Sequence, residues 1–349
     1  MSKEKVIKRV ISGSIVGLLV VIAVFSYIIY NRIFSPNVTI GQKAVEYIYI
    51  PTGASFEKVV WLLDQDHVII NEKSFRWAAH QMKYDVAVKP GRYRLKPDMT
   101  NKELIKLLRS GMQSPVNVVF NNIRTKQQFC DRVAEQIEAT SPALMNLLND
   151  HDYTGRLGFN PDNILAMFIP NTYELYWNTS ADRFLQRMAK EYKKFWTTER
   201  GFKAGFIGLS QIQVSILASI VQQESNKVDE KPIIAGVYMN RLNKDWKLDA
   251  DPTLVYALGD FTITRVLNIH KEIPSPYNTY KYKGLPPGPI CLPTAGSIDA
   301  VLNYTKHKYF YFCAKEDFSG YHSFAETYLR HLLNARRFQK ALDQRRILQ

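Results

Sequence analysis

The sequence predicts an α+β protein that follows a single N-terminal transmembrane helix. Three observations lead there: an uncharged apolar run from Val10 to Tyr30, a strand–turn–helix pattern recurring between residues 47 and 137, and a well-capped helix starting at Ser210.

The run reads VISGSIVGLLVVIAVFSYIIY. At about 1.5 Å per residue it spans roughly 30 Å, the thickness of a bilayer's hydrocarbon core. Lys3, Lys5, Lys8 and Arg9 precede it and only Arg32 follows closely. The positive-inside rule then makes residues 1–9 a cytoplasmic tail and residues 10–30 a single-pass anchor in the cytoplasmic (inner) membrane. Everything after it lies on the outer, periplasmic side. A cleaved signal peptide is the competing reading. The run is longer than a usual signal core, however, and Tyr30 to Phe34 offer no small-x-small cleavage site.

A chain of 349 residues has room for two or three domains, and shares of 46% hydrophobic and 22% charged residues are ordinary. The formal charge of +14 is not ordinary. Such an excess points to a polyanionic neighbour: nucleic acid, anionic lipid or an acidic cell-wall polymer. Placement outside the cytoplasm removes nucleic acid as a partner. Cys130, Cys291 and Cys313 are odd in number and lack metal-like spacing, so they read as small buried hydrophobes, and a Cys291–Cys313 pairing stays open. Seven scattered histidines give no metal motif, and no cofactor is implied.

Residues 31–140 carry the repeated pattern. Tyr47 to Ile50 lead through Pro51-Thr52-Gly53 to Ser55 and the apolar Val59, Val60, Leu62 and Leu63. Tyr93 to Leu95 lead to Thr100, which with Glu103 makes a capping box before Leu104, Ile105, Leu107 and Leu108, and Gly111 suits the helix end. Val116 to Phe120 lead to a second capping box, Thr125 with Gln128, before Phe129, Val133 and Ile137. Residues 141–207 read as mostly helical and contain Phe168-Ile-Pro-Asn-Thr-Tyr173. Residues 208–349 combine one strong helix with loops dense in Pro, Gly, Asn and Tyr, which shape a cleft. A closing helix is predicted from Ala325 to Leu342.

The helix at Ser210 carries the chemistry. Ser210 and Gln213 form a third capping box, and Leu209 with Val214 fits a hydrophobic staple. Leu217, Ile220 and Val221 form an apolar face, and helical spacing puts Glu224 on it. Burial there would raise its pKa, and a carboxyl group protonated near neutral pH is what a general acid must be. The bland alternative leaves Glu224 facing solvent or paired with Arg241. Asp249 and Asp251 are the nearby second carboxylates. Asp251, before Pro252-Thr253, reads as a turn or capping residue bonded to backbone amides.

Ala218-Ser-Ile-Val-Gln-Gln-Glu224-Ser resembles the acid-bearing helix of lysozyme-like lytic transglycosylases. With Gly236-Val-Tyr-Met-Asn-Arg-Leu242, Leu248-Asp-Ala-Asp-Pro-Thr253, Tyr277-Asn-Thr-Tyr280, Gly284-Leu-Pro-Pro-Gly-Pro-Ile290 and Tyr321-His-Ser-Phe324, the chain resembles the endolytic murein transglycosylases, the YceG-like proteins. Family members often carry Glu-Gly and Pro-Asp-Thr in the middle segment, where this chain has Leu165-Ala166 and Asn171. The resemblance implies LysM-like strand–helix modules, then a lysozyme-like lytic transglycosylase domain with a loop-rich cleft. It implies cleavage of peptidoglycan glycan strands between N-acetylmuramic acid and N-acetylglucosamine, with a 1,6-anhydro product, beside penicillin-binding peptidoglycan synthases. Glu224 would be the catalytic acid, with Gln223, Ser225, Asn240, Asp251, Tyr277, Asn278, Thr279, Tyr280 and His322 as candidate substrate contacts. The rivals are a muramidase-type hydrolase with a second carboxylate as base, a non-catalytic glycan-binding scaffold and, more distantly, a membrane-anchored regulator that binds nucleic acid.

Overall fold

The structure is a computed structural model that describes residues 3–41, 46–263 and 265–345. The chain divides into two compact units. One comprises Met1–Asn117 with Gln136–Glu138 and Glu174–Thr179; the other comprises Val118–Glu135, Ala139–Tyr173 and Ser180–Gln349.

The first unit opens with α1 (Lys3–Phe34), which contains the apolar run and extends it at both ends. No Gly or Pro interrupts the helix near its end until Pro36 stops it. Residues Ile7–Phe34 are apolar and long enough to cross a membrane. Next come β1 (Glu46–Ile50), α2 (Phe56–Gln65), α3 (Glu72–Gln81), β2 (Gly91–Leu95) and α4 (Asn101–Ser110). β1 and β2 pair antiparallel, from Glu46 opposite Leu95 to Ile50 opposite Gly91. The first two repeats of the sequence pattern are therefore halves of one module, sharing a core of Ile48, Ile50, Val59, Leu63, Phe75, Tyr93, Leu104 and Leu108. The Thr100–Glu103 capping box is present, and Gly111 ends α4 at φ 74°. α3 escaped the sequence pattern because its buried face is only Phe75, Ala78 and Ala79.

The third repeat belongs elsewhere. β3 (Val116–Phe120) runs into the second unit, where α5 (Lys126–Ala134) follows behind its Thr125–Gln128 capping box. Beyond α6 (Ser141–Asn149) and α7 (His151–Arg156) lies β4 (Asn171–Leu175), the partner of β3. The stretch read as mostly helical thus contains a strand. Pro170 biases its predecessor away from helix, and Thr172 and Tyr173 favour extended backbone. The chain continues through α8 (Ala181–Phe195), α9 (Thr198–Phe206), α10 (Gln211–Glu224), α11 (Lys231–Asn243), α12 (Asp251–Leu258) and α13 (Ala295–Leu302). A hairpin of β5 (Tyr311–Ala314) and β6 (His322–Ala325) and the closing α14 (Tyr328–Gln344) complete it.

Three differences from the sequence reading matter here. α10 is buried on every side from Val214 to Val221, not along one face, because α11 and α13 pack against it. The region expected to be loops holds three further helices and a hairpin. Ala325 ends a strand, and the closing helix begins after the Thr327 cap. Cys130 and Cys291 are buried, Cys313 is half-buried, and all three are free thiols.

Close approach fixes Gly288 in the Gly284–Ile290 segment: a Cβ there would sit 1.9 Å from the Asp162 carbonyl oxygen. Gly288→Ala must push that backbone away, so a loss of about 1–3 kcal/mol is expected in denaturant unfolding. Unchanged stability would show that the segment is free to move.

Candidate active site

Glu224 is the last residue of α10, whose Ser210–Gln213 capping box fixes the other end of the helix. It lines a cleft of about 270 Å³ together with Arg124, Gln223, Asp251, Tyr256 and Phe261. The side chain is partly exposed, open to the cleft and otherwise enclosed by protein. Burial pushes its carboxyl up to about 7. The Asp251 charge acts in the same direction, while a hydrogen bond from Tyr238 and the charge of Arg241 oppose it.

Tyr238, fully buried on α11, donates its hydroxyl to Glu224 Oε1. Burial, followed by the neighbouring Glu224 charge, holds the phenol well above its ordinary value, so it remains a donor. Arg241 does not pair with Glu224. Its guanidinium donates to the carbonyls of Phe310 and Leu248, because α11 turns that side chain toward β5 and the segment after α11.

Asp251 is also placed differently from its expected role. The residue capping α12 is Ala250, and its backbone N–H donates to Thr279 Oγ1 at 3.0 Å. Thr279 therefore does the work expected of Asp251, and the Asp251 carboxylate is left facing the cleft. There it accepts a hydrogen bond from the Tyr280 hydroxyl at 2.6 Å. Asp249 is exposed, lies at φ 47°, and does not line the cleft.

The structure brings Gln223, Glu224 and Asp251 together at the cleft, with Tyr280 joined to them through Asp251. Gln223 accepts from the Arg124 guanidinium at 2.7 Å, and that guanidinium lies 4.8 Å over the Phe261 ring. Tyr277 packs on Tyr256, ring centroids 4.6 Å apart. The other candidates are tied into the scaffold. Asn278 is fully buried and donates to the carbonyls of Lys271 and Ile273 at 2.8 and 2.9 Å. Thr279 is buried against Thr253 at 2.8 Å. Asn240 donates to the carbonyls of His307 and Tyr309, both at 2.9 Å, pinning the chain before β5. Ser225 and His322 both bond Glu230, at 3.2 and 2.8 Å, and Glu230 is 3% exposed.

Sequence reasoning missed Tyr238, Arg124, Tyr256, Phe261 and Glu230. Tyr238 lay inside a quoted motif, and a phenol on a buried helix needs a partner. Arg124 and Phe261 gave no local signal, since only folding brings them to Glu224. Among the described residues no group of three or more His, Cys, Asp or Glu is arranged to hold a metal ion.

The opposing influences on Glu224 can be separated by carbon NMR titration of its labelled carboxyl. It should titrate near 7 in the native protein, higher in Tyr238→Phe, which removes a stabiliser of the charged form, and lower in Asp251→Asn. An unmoved titration in both variants would show that neither neighbour tunes the group.

The chain is similar to known proteins over most of its length. It is 28% identical over 308 residues to a Bacillus subtilis protein named endolytic murein transglycosylase, covering 83% of this chain and 84% of that one. It is 24% identical over 343 residues to the protein of the same name from Streptococcus pneumoniae, covering 87% of this chain and 61% of that one. A crystal structure of a yceG-like protein from Listeria monocytogenes superposes with a TM-score of 0.54 at 27% identity, over 84% of this chain and 99% of that one. Residues 48–337 match the YceG-like family, and the chain belongs to that family.

Proposed function

We propose that this chain is an endolytic peptidoglycan transglycosylase that cleaves the bond between N-acetylmuramic acid and N-acetylglucosamine and leaves a 1,6-anhydro end. The observation that carries the reading is a carboxyl group, Glu224, raised to about 7 at a cleft wall, while its neighbour Asp251 is held by Tyr280. The names of its relatives supply the substrate class.

The chemistry needs one carboxyl group used twice. Protonated Glu224 gives its proton to the glycosidic oxygen as the bond to the muramoyl C1 breaks. The resulting carboxylate takes the proton of the muramoyl C6 hydroxyl, and that oxygen closes on C1 to form the anhydro ring. The acid is regenerated and no water is consumed. A hydrolase would instead need a carboxylate placed to activate water or to attack C1. Tyr280 occupies Asp251 with a hydrogen bond, which favours the single-acid route. Tyr280 and the open edges of Tyr277 and Tyr256 offer donors and ring faces to the sugars.

In the same reading the second unit is the lysozyme-like catalytic part. The β1–α2–α3–β2 module is LysM-like and holds glycan. α1 is a single-pass anchor in the cytoplasmic membrane, with the remainder on its outer side. Penicillin-binding synthases are the proposed partners, since the glycan they extend is the strand to be cut.

Glu224→Gln keeps the acceptor for Tyr238 but has no proton to give, so cleavage of purified peptidoglycan should fall by roughly 10²–10⁴-fold. Mass spectrometry should find anhydro ends from the native protein and from Asp251→Asn. Reducing muramic acid ends from the native protein would replace this reading with the hydrolase.

The same substitution has a stability signature. Folded Glu224 holds its proton more tightly than the unfolded chain, where the ordinary value is 4.5. Its contribution is intact below pH 4.5 and is lost as pH rises through about 7. In thermal melts Glu224→Gln should be the more stable protein at pH 8, by about 1–3 kcal/mol, with no advantage at pH 4. A pH-independent difference would place the carboxyl in water.

A further inference from the structure

The last turn of α1 is not a loose end. The Arg32 carbonyl accepts hydrogen bonds from the Asn101 amide at 2.8 Å and the Ser74 hydroxyl at 3.2 Å. Asn101 also donates to Ser74 Oγ at 2.9 Å and accepts from Asn37 at 2.7 Å. Asn37 donates to the Asn71 carbonyl at 3.1 Å and accepts from the Asn71 N–H at 2.7 Å. Asn37 and Asn101 are 4% and 1% exposed, so breaking these bonds would strand amides away from water. Just beyond, the N–H groups of Asn37 and Val38 both donate to the Met99 carbonyl. α1 is thereby a rigid extension of the module, joined to the starts of α3 and α4.

That junction is basic. Arg32 and Lys73 line a recess of about 500 Å³, and the Lys102 ammonium lies 4.8 Å over the Phe34 ring. The acidic side chains at the same helix starts are already engaged: Glu72 with Arg76 at 2.6 Å, and Glu103 in the Thr100 capping box. Tyr30 stacks on Phe34 at 4.9 Å, at the end of the apolar span where aromatic side chains favour the bilayer interface.

We infer that the face of the module bearing Arg32, Lys73 and Lys102 rests on the membrane and takes the phosphates of anionic phospholipid headgroups, held there by the Asn37–Asn71–Asn101 network. The inference depends on α1 being a membrane anchor, as proposed above. Given that anchor, continuity with the span brings this face to the headgroups, and charge complementarity selects anionic ones. A flexible linker would leave the module free to turn any face to the membrane; this junction does not.

The test uses the full chain with Cys313→Ser, bearing one spin label at a cysteine replacing Leu19, Lys73 or Lys83. It is reconstituted in vesicles of phosphatidylcholine with phosphatidylglycerol. Position 73 lies in the first turn of α3, and position 83 lies two residues beyond its last, at the other end of a helix about 15 Å long. The label at 19 should read bilayer depth, and the label at 73 should collide with a water-soluble nickel chelate several-fold less often than the label at 83. Phosphatidylcholine alone should weaken that protection, as should Lys102→Glu, an exposed change that leaves the fold intact. Asn37→Ala with Asn101→Ala should make 73 and 83 alike while 19 stays in the bilayer. Equal exposure of 73 and 83 in the unaltered network, with 19 at bilayer depth, would overturn the inference. Protection at 73 that is indifferent to phosphatidylglycerol and to Lys102→Glu would overturn its headgroup part. An aqueous label at 19 would instead overturn the anchor reading on which it rests.

Discussion

Taking an ionised carboxylate out of water is costly unless it is paired or neutralised, and α10 imposes that condition on Glu224. The helix is buried on all sides from Val214 to Val221, so its last residue emerges from the protein interior directly into the cleft. Among the described residues no cation contacts the carboxyl; its hydrogen-bonding neighbour is the Tyr238 phenol, which remains neutral. One donor moderates the pKa without supplying a charge that would pull it to the ordinary carboxylate range. The group is left near 7, where both protonation states are accessible close to neutral pH.

Much of the surrounding structure serves to keep that corner still. Asn278 and Thr279 spend their side chains on the loop that carries Tyr277 and Tyr280, and Asn240 ties α11 to the chain before β5. Glu230 links Ser225, the residue after the acid, to His322 on β6. A family motif thus mixes two kinds of residue. Some face the cleft, and some hold those residues in place through buried hydrogen bonds whose loss leaves unsatisfied groups. Asp251 shows how the two exchange roles: because Thr279 takes the N–H at the start of α12, the acidic side chain is released toward Glu224.

What the sequence determined by itself is local in origin. The apolar span, the capping boxes at Thr100, Thr125 and Ser210, the left-handed Gly111 and the strands at 46–50 and 116–120 each depend on residues within a few positions of one another. Glu224 was legible for the same reason, since a carboxylate in helical register with Leu217, Ile220 and Val221 conflicts with its surroundings. Tertiary structure decided the rest. It merged two strand–helix repeats into one module through the pairing of β1 with β2, and it sent the third to a different unit through the pairing of β3 with β4. It also chose Tyr238 over Arg241 as the partner of Glu224, and it brought Arg124 and Phe261 to the cleft. Those outcomes depend on contacts between residues from 14 to more than a hundred positions apart, and the spacing of neighbours along the chain carries no record of them.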